Sequence, residues 1–311
     1  MADAPAPTDP PAPAPAQAQA PASPSPPPPP QANLGAKALR VHEKLCATYQ
    51  CPIAYFHNLD PLSELVSSLL SHRTKNADSG RAFKALREKF RTWSAARDAP
   101  LRDVQEAIGA VTWPEQKAPR IQQVLRQITI VRQGVLSLDF LRDMTVPDAR
   151  AWLEQLPGVG PKTSAAVLAF STLRKAALPV DSHHHRVATR LGLLEPAVSV
   201  EKSHQVLAAL LPEEWTPQQV YDHHEVMMLH GQRCCYFRAP ACPRCAVLDL
   251  CPVGRVRVNL PPHDAPPAAR QPGREEPHRE PNSRPARARP DRRHRAQPRQ
   301  EQGFLFPELD E

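Results

Sequence analysis

The 311-residue chain reads as an all-α protein set between two proline-rich tails. Apolar residues recur at helical spacing through the middle of the chain, no alternating strand pattern interrupts them, and the 39 prolines crowd towards the ends. Residues 1–31 are almost entirely Ala, Pro, Gln and Ser, with neither a basic start nor an apolar run. They therefore read as a disordered, partly polyproline-like tail and not as a signal peptide or membrane anchor. From about residue 257 the chain again turns Pro- and Arg-rich and has too little apolar surface to order itself. Roughly 225 residues remain to fold, enough for two helical domains. The expected order is a tail over 1–33, a helix over 34–59 packing on the second domain, a helical barrel domain over 60–178, a cysteine-bearing domain over 179–256 and a tail over 257–311.

Along the barrel stretch, Asp60-Pro61 supplies an N-cap and a first-turn proline, after which Leu62, Leu65, Val66, Leu69 and Leu70 share one face. Ala82, Phe83, Leu86 and Phe90 mark a second helix, and Asp98 with Pro100 announces a third. Ile121, Val124, Leu125, Ile128 and Val131 line a fourth that stops at Gly134. Pro147 opens the helix bearing Trp152 and Leu153, and an Ala-rich helix with Val167 and Leu168 inside follows over 162–172. In the second domain Ser199 caps a run containing Val206, Leu207, Leu210 and Leu211. Thr216-Pro217-Gln218-Gln219 is a capping box for a helix ending at His230-Gly231.

The formal charge of +7 belongs to the folded part, because two acids in the first 31 residues offset the surplus of eleven arginines over nine acids in 257–311. A basic core suits a polyanion, although the same charge also serves solubility. Five of the seven cysteines lie between residues 234 and 251, which argues against a secreted disulfide framework and for a reducing compartment.

Leu156-Pro157-Gly158-Val159-Gly160-Pro161-Lys162-Thr163 joins two of these helices. Its glycines allow close backbone approach, and amides at the second helix's N-terminus can hold a phosphate without reading a base. Lys162 is expected to be buried near that N-terminus, a setting that disfavours the ammonium and frees a nucleophilic amine. Asp181, in Val180-Asp181-Ser182-His183, opens the next helix and could stabilise a developing sugar cation or manage protons. Equally, Lys162 could be a phosphate-contacting surface lysine and Asp181 an N-cap.

Cys235, Cys242, Cys245 and Cys251 stand in the pattern C-x6-C-x2-C-x5-C and can bring four thiolates to one centre, either zinc or an iron–sulfur cluster. Cys234, Cys46 and Cys51 are expected to remain free thiols.

From Leu59 to Cys251 the sequence resembles the endonuclease III family of helix-hairpin-helix DNA glycosylases, in its Leu-Pro-Gly-Val-Gly-x-Lys and Val-Asp-x-His motifs and in the gaps between its cysteines. The resemblance implies base-excision repair of oxidised pyrimidines in duplex DNA. In that family the lysine, matched by Lys162, attacks C1′ of a flipped-out nucleotide to form a Schiff base, and β-elimination then nicks the strand. The aspartate, matched by Asp181, assists. A 4Fe–4S cluster on the four cysteines is implied over zinc, as a stiffener of a loop whose basic residues, here Arg238 and Arg244, meet the DNA backbone. Gly158, Gly160, Thr163 and His183 are implied DNA contacts. Ala239 and Ala241 stand where relatives often carry basic residues, so the salt dependence of binding should be shallower.

Where the family inserts a polar residue into the gap left by the flipped base, often glutamine, this chain has Arg73 with His72 beside it, the alternative being a pair of ordinary solvated loop residues. His183-His184-His185 cannot all reach one ion from a regular helix, so structural or phosphate-proximal roles are favoured over a metal. His223 and His224 are read as helix-surface or packing residues. In the tail, seven arginines from Arg284 to Arg299 suit nonspecific DNA attraction or a plain linker. Gln302-Gly303-Phe304-Leu305-Phe306 looks like the Gln-x-x-Leu-Phe peptide that binds the bacterial sliding clamp, with Gln302, Leu305 and Phe306 as anchors. The resulting expectation is a monomer in a bacterial cytoplasm, associated with the nucleoid and with no membrane contact. Two alternatives are an inactive DNA-binding accessory on the same scaffold and an adenine-mismatch glycosylase, although the latter's folded C-terminal domain has no counterpart here.

Overall fold

The structure is a computed structural model that describes residues 30–259; the two tails, with the peptide at 302–306, lie outside the described residues. All regular structure among the described residues is helical, as twelve α-helices and three short 3-10 helices. The first, α1 (Pro30–Tyr49), starts inside the stretch assigned to the tail, and the last, α12 (Pro252–Asn259), runs past residue 257.

Seven helices build the first core: α2 (Pro61–Ser71), α3 (Asn76–Lys89), α4 (Trp93–Asp98), α5 (Leu101–Ala107), α6 (Pro114–Val131), α7 (Val146–Leu153) and α8 (Pro161–Phe170). Leu65, Val66, Leu70, Leu86, Ile121 and Leu125 meet at its centre, none with more than a trace of exposure. Asp60 caps α2 as its sequence requires, its Oδ1 accepting from the amides of Leu62 and Ser63 at 3.0 and 2.9 Å. The helix announced by Asp98 and Pro100 is α5, and the short α4 ahead of it is not among the helices expected from the sequence. Thr92 caps α4, Asp98 ends it, and Pro100, which disfavours helix in the residue before it, forces the break ahead of α5. Val131, expected inside, is exposed at the C-terminal end of α6, and Val206 of the second half is exposed as well. Every residue of α8 from Thr163 to Phe170 is buried, as suits a helix apolar on all sides.

The second core gathers α1, α9 (Ser182–Leu191), α10 (Val200–Ala208), α11 (Pro217–Arg233) and α12 around Val41, Leu45, Val187, Leu191, Val226 and Met227. The capping box at Thr216 forms in full, with the Gln219 side chain returning to the Thr216 amide at 2.9 Å. Buried histidines thread this half: His184, His204, His223 and His224 are at most 4 % exposed, so His223 and His224 are packing residues, not surface ones. Cys46 and Cys51, expected as free thiols, form a disulfide that joins the end of α1 to the turn after it.

An aromatic seam joins the halves. Ala166, Ala169 and Phe170 of α8 meet Tyr221 of α11, with Tyr55 stacked on Tyr221 at 4.1 Å between ring centroids. The segment carrying Tyr55 is tied to both sides: the Ile53 amide donates to Asp222 Oδ1 at 2.8 Å, and the Leu59 carbonyl accepts from Thr172 at 2.8 Å.

Candidate active site and metal centre

The hairpin between α7 and α8 sits on Leu156 and Val159, which plug into the first core at 3 % and 6 % exposure. Gly158 adopts φ +82°, and a β-carbon there would meet the Arg120 guanidinium at 3.0 Å, so this position needs glycine. Gly160 has extended backbone and open space around it. Its value lies elsewhere: as N-cap it brings no side chain to occupy the first-turn amides of α8.

Lys162 stands in that first turn and is exposed, contrary to the burial expected of it. Asp181 caps α9, accepting from the His184 amide at 2.7 Å, and is half-buried. One residue comes from each half of the molecule, and both charges act on the ring of His224, which is fixed through Nδ1 to the Pro179 carbonyl at 2.9 Å. Burial holds His224 below the ordinary histidine pKa. Beside it Glu225, 8 % exposed, is pushed up to about 7 by burial and by the charges of Asp181 and Asp222. Glu225 was not singled out from the sequence, where it reads as one more polar position on a helix.

His72 and Thr163 are both expected to face DNA. Their side chains meet each other, His72 Nε2 to Thr163 Oγ1 at 3.0 Å, and brace the loop after α2 against α8. Burial, then Lys162 and Lys117, lowers His72 to about 4, so it is neutral at physiological pH and brings no charge to a phosphate. Lys117 clasps the same loop, donating to the carbonyls of Leu70 and His72 at 2.6 and 2.7 Å and to Thr74 Oγ1 at 2.7 Å. Burial lowers its pKa to about 8.

The clasp presents Arg73, exposed and in the left-handed region at φ 49°. Across from it Trp113, 43 % exposed and at φ 57°, stands with its ring centroid 5.9 Å from the Arg73 guanidinium carbon. Sequence reasoning missed Trp113; the available signal was an aromatic residue before Pro114, off the apolar stripe of α6. A bulky residue at positive φ and left in solvent is an uncommon arrangement.

The three consecutive histidines part ways. His183 Nδ1 accepts from Arg186 at 3.2 Å, His184 is wholly buried against His223, and His185 Nε2 reaches the Val198 carbonyl at 2.8 Å.

Cys235, Cys242, Cys245 and Cys251 line one cavity, together with Cys234. Two of the sulfurs already accept hydrogen bonds: Cys235 from Arg190 Nη1 at 3.2 Å and Cys251 from the Gly254 amide at 3.2 Å. An apolar-walled cavity converging several thiols, with N–H donors aimed at sulfur, fits a thiolate-bound metal centre. Arg238 and Arg244 are exposed on the same loop, and Arg244 also donates to the Arg233 carbonyl at 3.0 Å.

Residues 66–213 match the HhH-GPD superfamily of base excision DNA repair proteins. The chain is 34 % identical to endonuclease III of Thermotoga maritima over 199 residues, 64 % of this chain and 85 % of that one. It is 28 % identical to endonuclease III of Escherichia coli, across 70 % of this chain and 95 % of the relative. A solved structure of a trapped endonuclease III–DNA covalent intermediate superposes with a TM-score of 0.61 at 25 % identity, covering 72 % of this chain and 98 % of that one. A thermostable thymine-DNA glycosylase shares the fold, at 0.58 and 20 % identity over 71 % of this chain and 98 % of the other. The protein is thus a DNA-binding repair enzyme of the helix-hairpin-helix class. Within that class the chain belongs to the endonuclease III family, as a base excision repair DNA glycosylase with AP lyase activity. No helix among the described residues is long and apolar enough to cross a membrane.

Proposed function

We propose that Lys162 is the nucleophile on oxidised pyrimidine nucleotides flipped out of duplex DNA, and on abasic sites. The placement of Lys162 at the exposed tip of a buried helix, with Asp181 across the seam, carries this assignment. The phosphate beside the target binds the open first turn of α8, where the helix dipole adds to main-chain donation at Gly158 and Gly160. Asp181 takes the proton that keeps Lys162 an ammonium. The Lys162 nitrogen then bonds to C1′ as the C1′–N bond breaks, and the electron pair leaves with the base, which is protonated. Ring opening gives the Schiff base, and loss of the C2′ proton expels the 3′ phosphate. The proton taken by Asp181 passes to the departing base, and the carboxylate so restored offsets the positive charge of the Schiff base.

Arg73 and Trp113 fill the gap left by the flipped nucleotide, by stacking and charge in place of amide contacts. Thr163 and His72 hold this apparatus in register, while His183, Arg238 and Arg244 lie along the DNA backbone. Cys235, Cys242, Cys245 and Cys251 would hold a 4Fe–4S cluster, which supplies a rigid cross-link for that loop. The enzyme works as a monomer in a bacterial cytoplasm, at the nucleoid, and Gln302, Leu305 and Phe306 tether it to the sliding clamp. The domain limits at 34–59, 60–178 and 179–256 belong to the same proposal, with the barrel supplying Lys162 and the cluster domain Asp181.

Borohydride trapping on thymine-glycol DNA tests the central assignment. A covalent adduct is expected from the parent chain and none from Lys162→Ala, with a rate loss of about 10⁴-fold or more. An adduct that survives in Lys162→Ala would overturn it.

A further inference from the structure

The resemblance to the family accounts for four of the five cysteines around the thiol-lined cavity and leaves Cys234 over. Cys234 is 8 % exposed, hence no solvent-facing bystander. Its sulfur, the Cys245 sulfur and a His230 ring nitrogen all lie within 4.8 Å of one another. A single tetrahedral zinc ion, with bonds of about 2.3 Å to sulfur and about 2.0–2.1 Å to nitrogen, spaces its donors about 3.5–3.8 Å apart, so the three need close in by no more than about an ångström.

His230 is prepared as a ligand would be. It is 1 % exposed, its Nδ1 lies 3.2 Å from the Tyr49 hydroxyl, and its Nε2 lies 3.4 Å from Cys245 Sγ. An oxygen partner on one ring nitrogen orients the imidazole and leaves the other for a metal. The backbone holds the set close: the amides of Cys234 and Cys235 both donate to the His230 carbonyl, at 3.0 and 2.7 Å, so the end of α11 folds back on its own histidine.

We propose that His230, Cys234 and Cys245 form a second metal site, for a single zinc ion, that overlaps the four-cysteine set at Cys245. Cluster and ion therefore exclude each other. Each thiol gives up its proton to solvent as zinc binds, and the fourth position of the ion belongs to water. Zinc thereby holds the end of α11 against the cysteine loop in chains that carry no cluster.

The full chain is produced in iron-restricted, zinc-supplied cells and its metal content measured, and cobalt is then titrated into metal-stripped protein as a spectroscopic stand-in for zinc. A single zinc per chain is expected, with thiolate-to-cobalt absorption. Cys234→Ser and His230→Gln should each weaken cobalt binding by ten-fold or more, and Tyr49→Phe by about ten-fold, as loss of an orienting partner does. Cys242→Ser and Cys251→Ser should bind as the parent does, with helical circular dichroism confirming that each variant is folded. Parent-like binding by Cys234→Ser, or equal losses in Cys242→Ser and Cys251→Ser, overturns the site. Iron and sulfide content of iron-replete chains reads the cluster assignment separately: Cys242→Ser should lose both, and Cys234→Ser should keep them.

Discussion

The two halves of the molecule are packed with different chemistry. The core beneath the hairpin is aliphatic and aromatic, whereas the opposite core encloses His184, His204, His223 and His224, with His42 against Trp215 at 4.5 Å. A hydrocarbon core is indifferent to protons. A core containing neutral imidazoles is stable only while they stay neutral, and burial lowers the pKa of all five: His204 to about 4, His223 to about 3, and His42, His184 and His224 in the same direction. Lys162 stands on the first kind of core and Asp181 on the second, so the proposed chemistry draws on both halves. The first carries His72 and Lys117 with pKa values lowered by burial, against five histidines in the second, which answers the more strongly to acid.

The strongest test of this contrast is truncation in the first core. Leu65 is fully buried, and Leu65→Ala should cost about 2–5 kcal/mol in urea unfolding, by the same amount at pH 5 and pH 8. A pH-dependent cost would blur the distinction. Next comes the acid limb of the parent chain. Below the ordinary histidine pKa the unfolded chain takes up protons that the folded second core refuses, so stability should fall as pH drops from about 6.5 towards 4. Calorimetry resolving two transitions should show the larger loss in the half that keeps Asp181; a flat melting temperature across this window would remove the proposed sensitivity.

A smaller effect is expected at His184, whose ring nitrogens have no hydrogen-bond partner among the described residues. His184→Leu should be neutral or stabilising by about 1–3 kcal/mol at pH 7 and should flatten the acid limb. The smallest is at Glu225, where the slope has the opposite sign. Its raised pKa keeps a proton in the folded state that the unfolded chain has released, so its cost grows as pH rises from about 4.5 to 7. Glu225→Gln should remove that cost and displace the pH–rate profile measured between 6 and 8; an unchanged profile would disconnect Glu225 from Asp181.

Much of this architecture is legible in sequence because local rules fixed it. Asp60-Pro61, Thr216 with Gln219 and the spaced cysteines each announce themselves within a few residues, and Lys162 and Asp181 follow from short motifs. What escaped depends on neighbours distant in sequence. Cys46 and Cys51 look like leftovers until a turn brings them together, and the buried histidines look polar until α1, α9, α10 and α11 close around them. The exposure of Lys162 escaped for a related reason: the apolar run after it hides the helix but leaves its first turn in solvent. Trp113 fails the other way, since an aromatic residue is expected inside and this one is held out by its backbone.

The strap that threads Tyr55 through the seam has a mechanical consequence. With Ile53 anchored on α11, Leu59 bonded beyond α8 and Arg174 lying 3.5 Å from the centre of the Tyr55 ring, the halves are clamped at both ends of the joint. A clamp of this kind makes a poor hinge. With Lys162 as the proposed nucleophile, the strain of bringing a nucleotide to it falls on the duplex, and DNA that already kinks easily is expected to be the better substrate.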